Sequence, residues 1–305
     1  MIGIVQTPRQ NAIGVLAMLG SMAAFVVNDV AVKIASDALP LGEIIALRNL
    51  FSTLALTVVM FALPGIIGPL SWPRRLPGRL IALRVFGEIV ATILFLAGLV
   101  ALSIGDVTAI AQVAPLGMTA AAALFLGERV GWRRWTATVV GFLGVALIVR
   151  PGSAAFSVAG AMVLLSVLFV VVRDLATRLI PPDVSTGFIG LTSTVSGIAA
   201  GILLLPFEIW LIPTAGQLAV TALSGIFLAL AFALLVVGLR TGDVSIVSPF
   251  RYTVIVFALI AGYVVWGDTP DGLALLGTAI VCGAGLYTLH RERARQRIAM
   301  CEADR

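Results

Sequence analysis

Charge is what this chain has least of. Only 11% of its 305 residues are charged, against about 25% in a soluble domain. Histidine occurs once, at His290, and cysteine twice, at Cys282 and Cys301. So few ligand side chains, so far apart, exclude a zinc cage, a haem site, a disulfide framework and a Ser-His-Asp triad. No GxxxxGK[ST] loop is present, so the chain carries no ATP-binding loop of that kind. No metal, cofactor or catalytic residue is expected. Long polar stretches are missing too, which leaves no room for a separate soluble domain.

Apolar sequence fills the chain instead. Hydrophobic residues make up 60% of it, gathered in blocks of about 20, each long enough to cross a ~30 Å hydrocarbon core. The blocks lack the polar face that a soluble protein's helix would show. Ten spans are read, at 12–33, 43–63, 80–102, 106–126, 134–149, 158–178, 187–206, 217–239, 244–266 and 271–290. The expected fold is an all-α polytopic membrane protein of ten transmembrane helices, with the lipid bilayer as its surroundings. The first block is too long for the core of a secretion signal and has a relative in mid-chain, so it is expected to be retained.

The net charge of +5 sits in arginines at span ends, a mark of topology and not of nucleic-acid binding. Arg9, Arg74, Arg75, Arg79, Arg129, Arg133, Arg134, Arg178 and Arg240 fall on one side, with the arginines of the tail 291–305. The other side holds little beyond Lys33 and Arg150. Both termini are therefore expected in the cytoplasm, the tail as a basic segment against anionic lipid. Trp72, Trp132, Trp135, Trp210 and Trp266 lie near span ends, as an aromatic belt would.

Two charged phrases repeat. In "VVNDVAVK" (26–33) and "VVVRDLATR" (170–178) an Asp is followed four residues later by a cation, Asp29 by Lys33 and Asp174 by Arg178. That spacing predicts an i,i+4 pair closing each helix. At an offset of 145, Ser21 also meets Ser166 and Gly42 meets Gly187. Further on, "SIGDVTAI" (103–110) matches "RTGDVSIV" (240–247), and "LFLGE" (124–128) matches "VVWGD" (264–268). The chain divides into 1–150 and 151–290, five spans each. Five is odd, so the halves cross the membrane in opposite senses. Inverted repeats of this kind surround a central cavity near the midplane.

These landmarks resemble the EamA-type drug/metabolite transporter superfamily, over about residues 10–290. The passage "LFLGERVGWRRWTATVVGFLGVALIV" (124–149) is similar to the superfamily's most recognisable segment. Asp268 stands where the second half usually has Glu. Within the superfamily the chain looks most like bacterial amino-acid exporters. The resemblance implies ten helices around a central cavity in the bacterial inner membrane, moving aromatic or neutral amino acids or related metabolites outward. It implies no cofactor, and no oligomeric partner is required.

Polar groups inside the spans are the candidate site, because a charge in hydrocarbon faces a partner or a cavity. Span 4 carries Gln112 and Pro115; span 9 carries Ser248, Pro249, Arg251 and Tyr252. Each proline removes a helical hydrogen bond and kinks its span beside a polar group. Pro115 lies about 14 Å along the helix from Asp106, near the midplane. Phe95 and Asn28 are further cavity candidates. Arg251 sits about 11 Å from the inner end of span 9, a depth that Glu88 shares in span 3. Arg84 lies one turn before Glu88, on the same face. Arg84, Glu88 and Arg251 are thus expected as a gate or a permanent ion-pair network, with a substrate carboxylate as the alternative partner of Arg251. Arg48 and Asp29 are placed to pair near the outer end. Scarce deep acids favour uncoupled facilitated export by alternating access. The alternatives are a proton-coupled multidrug or metabolite exporter and a phosphorylated-metabolite antiporter, the latter needing more deep cations than Arg251 and Arg84. An integral membrane transferase would need His-Asp or Asp-rich ligands at a membrane face.

Overall fold

The computed structural model describes residues 7–62, 78–127, 131–150, 152–153, 155–181 and 184–303. For Arg134, Val244, Ser245, Leu289 and residues 291–303 it describes the backbone alone. Trp72, Arg74, Arg75, Glu128 and Arg129 lie outside the described residues. Ten helical spans are present: α1 Pro8–Ala35, α2 Leu41–Ala62, α3 Gly78–Ala101, α4 in two pieces (Ile104–Ala111 and Ala114–Phe125) and α5 Trp132–Ile148. The second five are α6 Val158–Leu179, α7 Thr186–Leu204, α8 Ala215–Thr241, α9 and α10 Gly272–Ala303. The α9 span is built from Val244–Val247, a 3₁₀ stretch Ser248–Tyr252, and Thr253–Trp266. Eight of the ten spans are both long and apolar enough to cross a membrane; α5 and α10 have shorter apolar parts.

With little charge available, neutral hydroxyls start the helices. Thr7 caps α1 in a reciprocal box with Gln10, and Thr214 caps α8 in the same way with Gln217. Ser103, Ser157 and Ser185 accept from the first free N–H groups of α4, α6 and α7. The scarce acids off the cavity do similar work. Glu208 accepts from the N–H of Gly42 at 2.8 Å and Glu43 from that of Leu211 at 2.9 Å, tying α2 to the segment after α7.

Helix partners obey the two-fold relation between halves. The α1 helix packs along α8 as α6 packs along α3, and α9 touches α1 as α4 touches α6. The α2–α7 and α5–α10 pairs each join equivalent helices across the axis. Small residues let these backbones approach. A β-carbon on Gly225 of α8 would fall on the carbonyl of Arg48 and 2.7 Å from the β-carbon of Phe51, both on α2. One on Gly144 of α5 would lie 2.8 Å from the carbonyl of Gly277 on α10.

The main buried apolar cluster is concentrated at the end away from the termini. Val32 and Ala35 of α1, Ile44 of α2, Leu99 of α3, Leu102 just after it, and Ile104 and Val107 of α4 fill that end. Toward the termini two smaller clusters, around Met18, Met22 and Val247 and around Leu56, Met60, Ala229 and Ala233, stand beside a hollow.

Candidate functional site

The hollow has two connected lobes. The inner lobe, about 310 Å³, is lined by α1 (Phe25, Asn28, Asp29), Arg48 of α2, α3 (Glu88, Phe95), Gln112 and Arg251. The outer lobe, about 580 Å³, runs past Pro115, Met118 and Ala122 of α4. It ends at Arg178 of α6 and Thr288 of α10, on the side where the termini emerge. Phe25, Phe95, Gln112, Val170, Arg173 and Arg251 line both lobes, so the space is continuous.

Of the residues expected there, Asn28 lines the inner lobe, Phe95, Gln112 and Arg251 line both, and Pro115, Ser248 and Tyr252 line the outer one. Pro249 does not line it; its contribution is the 3₁₀ stretch that follows Val247. The α4 break falls at Gln112–Val113, directly before the helix that carries Pro115 in its first turn. Pro115 has no N–H to give to the carbonyl of Ala111, and Ala111 lines the cavity beside Gln112. The hydroxyl of Tyr252 fits against Gly285, where any side chain would overlap it.

Glu88 is held differently from the sequence expectation. Its carboxylate lies 3.6 Å from Arg84 and 3.4 Å from Arg173. Ser193 of α7 bridges them, accepting from Arg84 at 2.7 Å and donating to Glu88 at 3.1 Å. Arg173 also pairs with Asp174 at 2.8 Å. The network therefore joins α3, α6 and α7, and its second cation is Arg173. Among the described residues Arg251 forms no ion pair; it is exposed and faces the cavity. Nothing in the sequence connects Arg173 of α6 to Glu88. Ser193 carried no signal, since a serine in a membrane helix usually bonds its own backbone.

The expected Asp29–Lys33 pair does not form. Asp29 accepts from the Asn28 amide at 2.9 Å and faces the cavity. Lys33 donates to the carbonyl of Leu102 and lies 5.2 Å from the centre of the Trp266 ring. Nor do Asp29 and Arg48 meet as an ion pair, although both line the inner lobe. In the second phrase Asp174 takes Arg173, its neighbour.

The profile of the EamA-like transporter family matches residues 12–150 and again 152–289. The chain belongs to the EamA-like transporter family. This EamA-like transporter is 30% identical over 67% of each chain to a riboflavin transporter of Rhizobium johnstonii. It is 27% identical to an S-adenosylmethionine uptake transporter of Rickettsia bellii, over 63% of this chain and 67% of that one. It is also 27% identical to the pseudopaline exporter CntI of Pseudomonas aeruginosa, over 87% of this chain and 92% of that one. A solved crystal structure superposes on 94% of the EamA-like transporter and 99% of its own chain, with a TM-score of 0.58 at 18% identity. That is a likeness of fold alone. The protein is thus a multi-pass membrane transporter of small molecules and not an enzyme.

Proposed function

We propose that the chain carries amino acids or related carboxylate metabolites outward by alternating access, with Arg251 holding the substrate's carboxylate. The observation that carries this reading is an exposed guanidinium in the shared part of both lobes that forms no ion pair among the described residues. A guanidinium fork suits a planar carboxylate bidentately. Phe25, Phe95 and Tyr252 offer apolar walls beside it, and Gln112 a neutral hydrogen-bonding group. Arg9, Arg79, Arg133, Arg134, Arg178 and Arg240 at described helix ends, with the arginines of the tail, favour a cytoplasmic side for the termini, from which the cavity would load. Glu88, held between two guanidiniums, supports flux down the substrate's own gradient without a proton.

The test is uptake of labelled amino acids into proteoliposomes. Arg251→Ala is expected to lower kcat/KM about tenfold to a hundredfold, the loss of one charge-assisted pair. Arg251→Lys should recover part of it, and an imposed pH gradient should leave the wild-type rate unchanged. Wild-type flux in Arg251→Ala would remove the carboxylate clamp, and flux that follows the pH gradient would remove the uncoupled mechanism.

A further inference from the structure

A second arginine in the cavity, Arg48, also has no ion pair among the described residues. Arg48 lies at the inner lobe with only 6% of its surface exposed. Among the described residues it makes no hydrogen bond or ion pair, and its Nε is buried and unsatisfied. A guanidinium so deeply buried in hydrocarbon is costly unless something neutralises it. Its side chain lines the inner lobe and is buried, so it does not reach out toward lipid headgroups.

Beside it stands a supported acid. Ser224 of α8 donates to Asn28 Oδ1 at 2.8 Å, and Asn28 donates to Asp29 Oδ1 at 2.9 Å. This relay leaves the second oxygen of Asp29 for the cavity. Asp29 and Arg48 thus offer one anion and one cation at the same blind end. An α-amino acid carries the complementary pair on one carbon, an ammonium and a carboxylate.

Charge balance then decides the far end. Glu88 and Asp174 are matched by Arg84 and Arg173. Arg178, at the mouth, is engaged in an interaction of its own. Among the groups that line the inner lobe, Asp29 and Glu88 stand against Arg48, Arg173 and Arg251, so the site keeps one positive charge. A ligand with one ammonium and two acidic groups neutralises it; a neutral amino acid does not.

We infer that the cavity is built for amino acids bearing a second acidic group, with the amino-acid head on Asp29 and Arg48 and the distal acid on Arg251. The inference rests on the reading that Arg251 takes a substrate carboxylate. It is tested by calorimetric titration of the purified full-length protein with L-aspartate, L-glutamate, L-2-aminoadipate and L-2-aminopimelate. Each is compared with the amino acid in which a methyl group replaces the distal carboxylate. At least one dicarboxylate should bind about tenfold to a hundredfold tighter than its methyl counterpart. Arg251→Gln should erase that difference, and Arg48→Gln should weaken both members of the pair. Equal binding of both classes by the wild type, with both weakened in Arg251→Gln, overturns this inference and leaves the carboxylate reading standing. Unchanged binding in Arg251→Gln, or no binding by any of the series, overturns both. The wild-type comparison needs no variant to fold, and Arg48→Lys, which keeps the charge, should retain part of the affinity.

Discussion

At the scale of single residues, the deep charges of the described residues divide into a paired set around Glu88 and two arginines, Arg48 and Arg251, that form no ion pair. Glu88 serves Arg84, which is 6% exposed, and Arg173 at once. Removing it strands a buried cation, which costs more than the pair itself contributes. Glu88→Gln is expected to destabilise the protein by about 3 kcal/mol, seen as a lower unfolding temperature in detergent. Because Arg251 is not its partner, Glu88→Gln should fail to rescue Arg251→Ala. Recovery of flux in the double variant would restore the pairing that the sequence alone suggested.

At the scale of helices, the bundle depends on backbones that touch. The α8 helix lies against α2 at Gly225, where a side chain has no space before the carbonyl of Arg48. Gly225→Val should therefore push α8 from α2 and cost about 1–3 kcal/mol, as overpacking does. It should also reduce substrate binding, because the same contact positions Arg48. Stability like the wild type, measured by thermal unfolding, would show that α8 can shift freely. The two broken helices serve a different end. Proline in α4 and the 3₁₀ stretch in α9 interrupt regular hydrogen bonding where Gln112 and Ser248 line the cavity.

For the whole molecule, the two-lobed cavity lies on the termini side, while the opposite end holds much of the main buried apolar cluster and a smaller pocket of about 250 Å³ lined by Asp106, Ser153, Asp268 and Asp271. Lys33 latches that end by joining the last turn of α1 to the carbonyl of Leu102 and the ring of Trp266. Arg150 and Asp271 add a 2.7 Å pair between the ends of α5 and α10. The Arg150 hydrogen bond holds the Asp271 carboxyl below the usual carboxylate range. A carboxyl with a depressed pKa contributes its pairing at neutral pH and loses it as pH falls through the folded value. In an inverted repeat these contacts must break for the site to face the other way. Lys33→Ala is expected to shift the population toward that second state, raising thiol labelling of a cysteine placed at Ser153 several-fold. Unchanged labelling would mean that the apolar plug, and not Lys33, keeps this end closed.

Much of this architecture is written in local patterns. The ten spans follow from contiguous apolar blocks, because the membrane core sets a length that any such block meets. The inversion follows from counting five spans per repeat. Gln112, Pro115, Arg251 and Tyr252 stood out because polar or helix-breaking groups in hydrocarbon are conspicuous wherever they point. Partner choice was not legible. Spacing allowed Asp29 to meet Lys33, yet the end of α3 and Trp266 supply a carbonyl and an aromatic face that draw the ammonium away. Glu88 and Arg251 share a depth, but depth does not give azimuth. Only the packing of α3 against α6 and α7 brings Arg173 and Ser193 to Glu88, leaving Arg48 and Arg251 to line the cavity with no ion pair among the described residues. Hydropathy is a sum over neighbours in the chain, whereas an ion pair depends on which helices the bundle sets side by side.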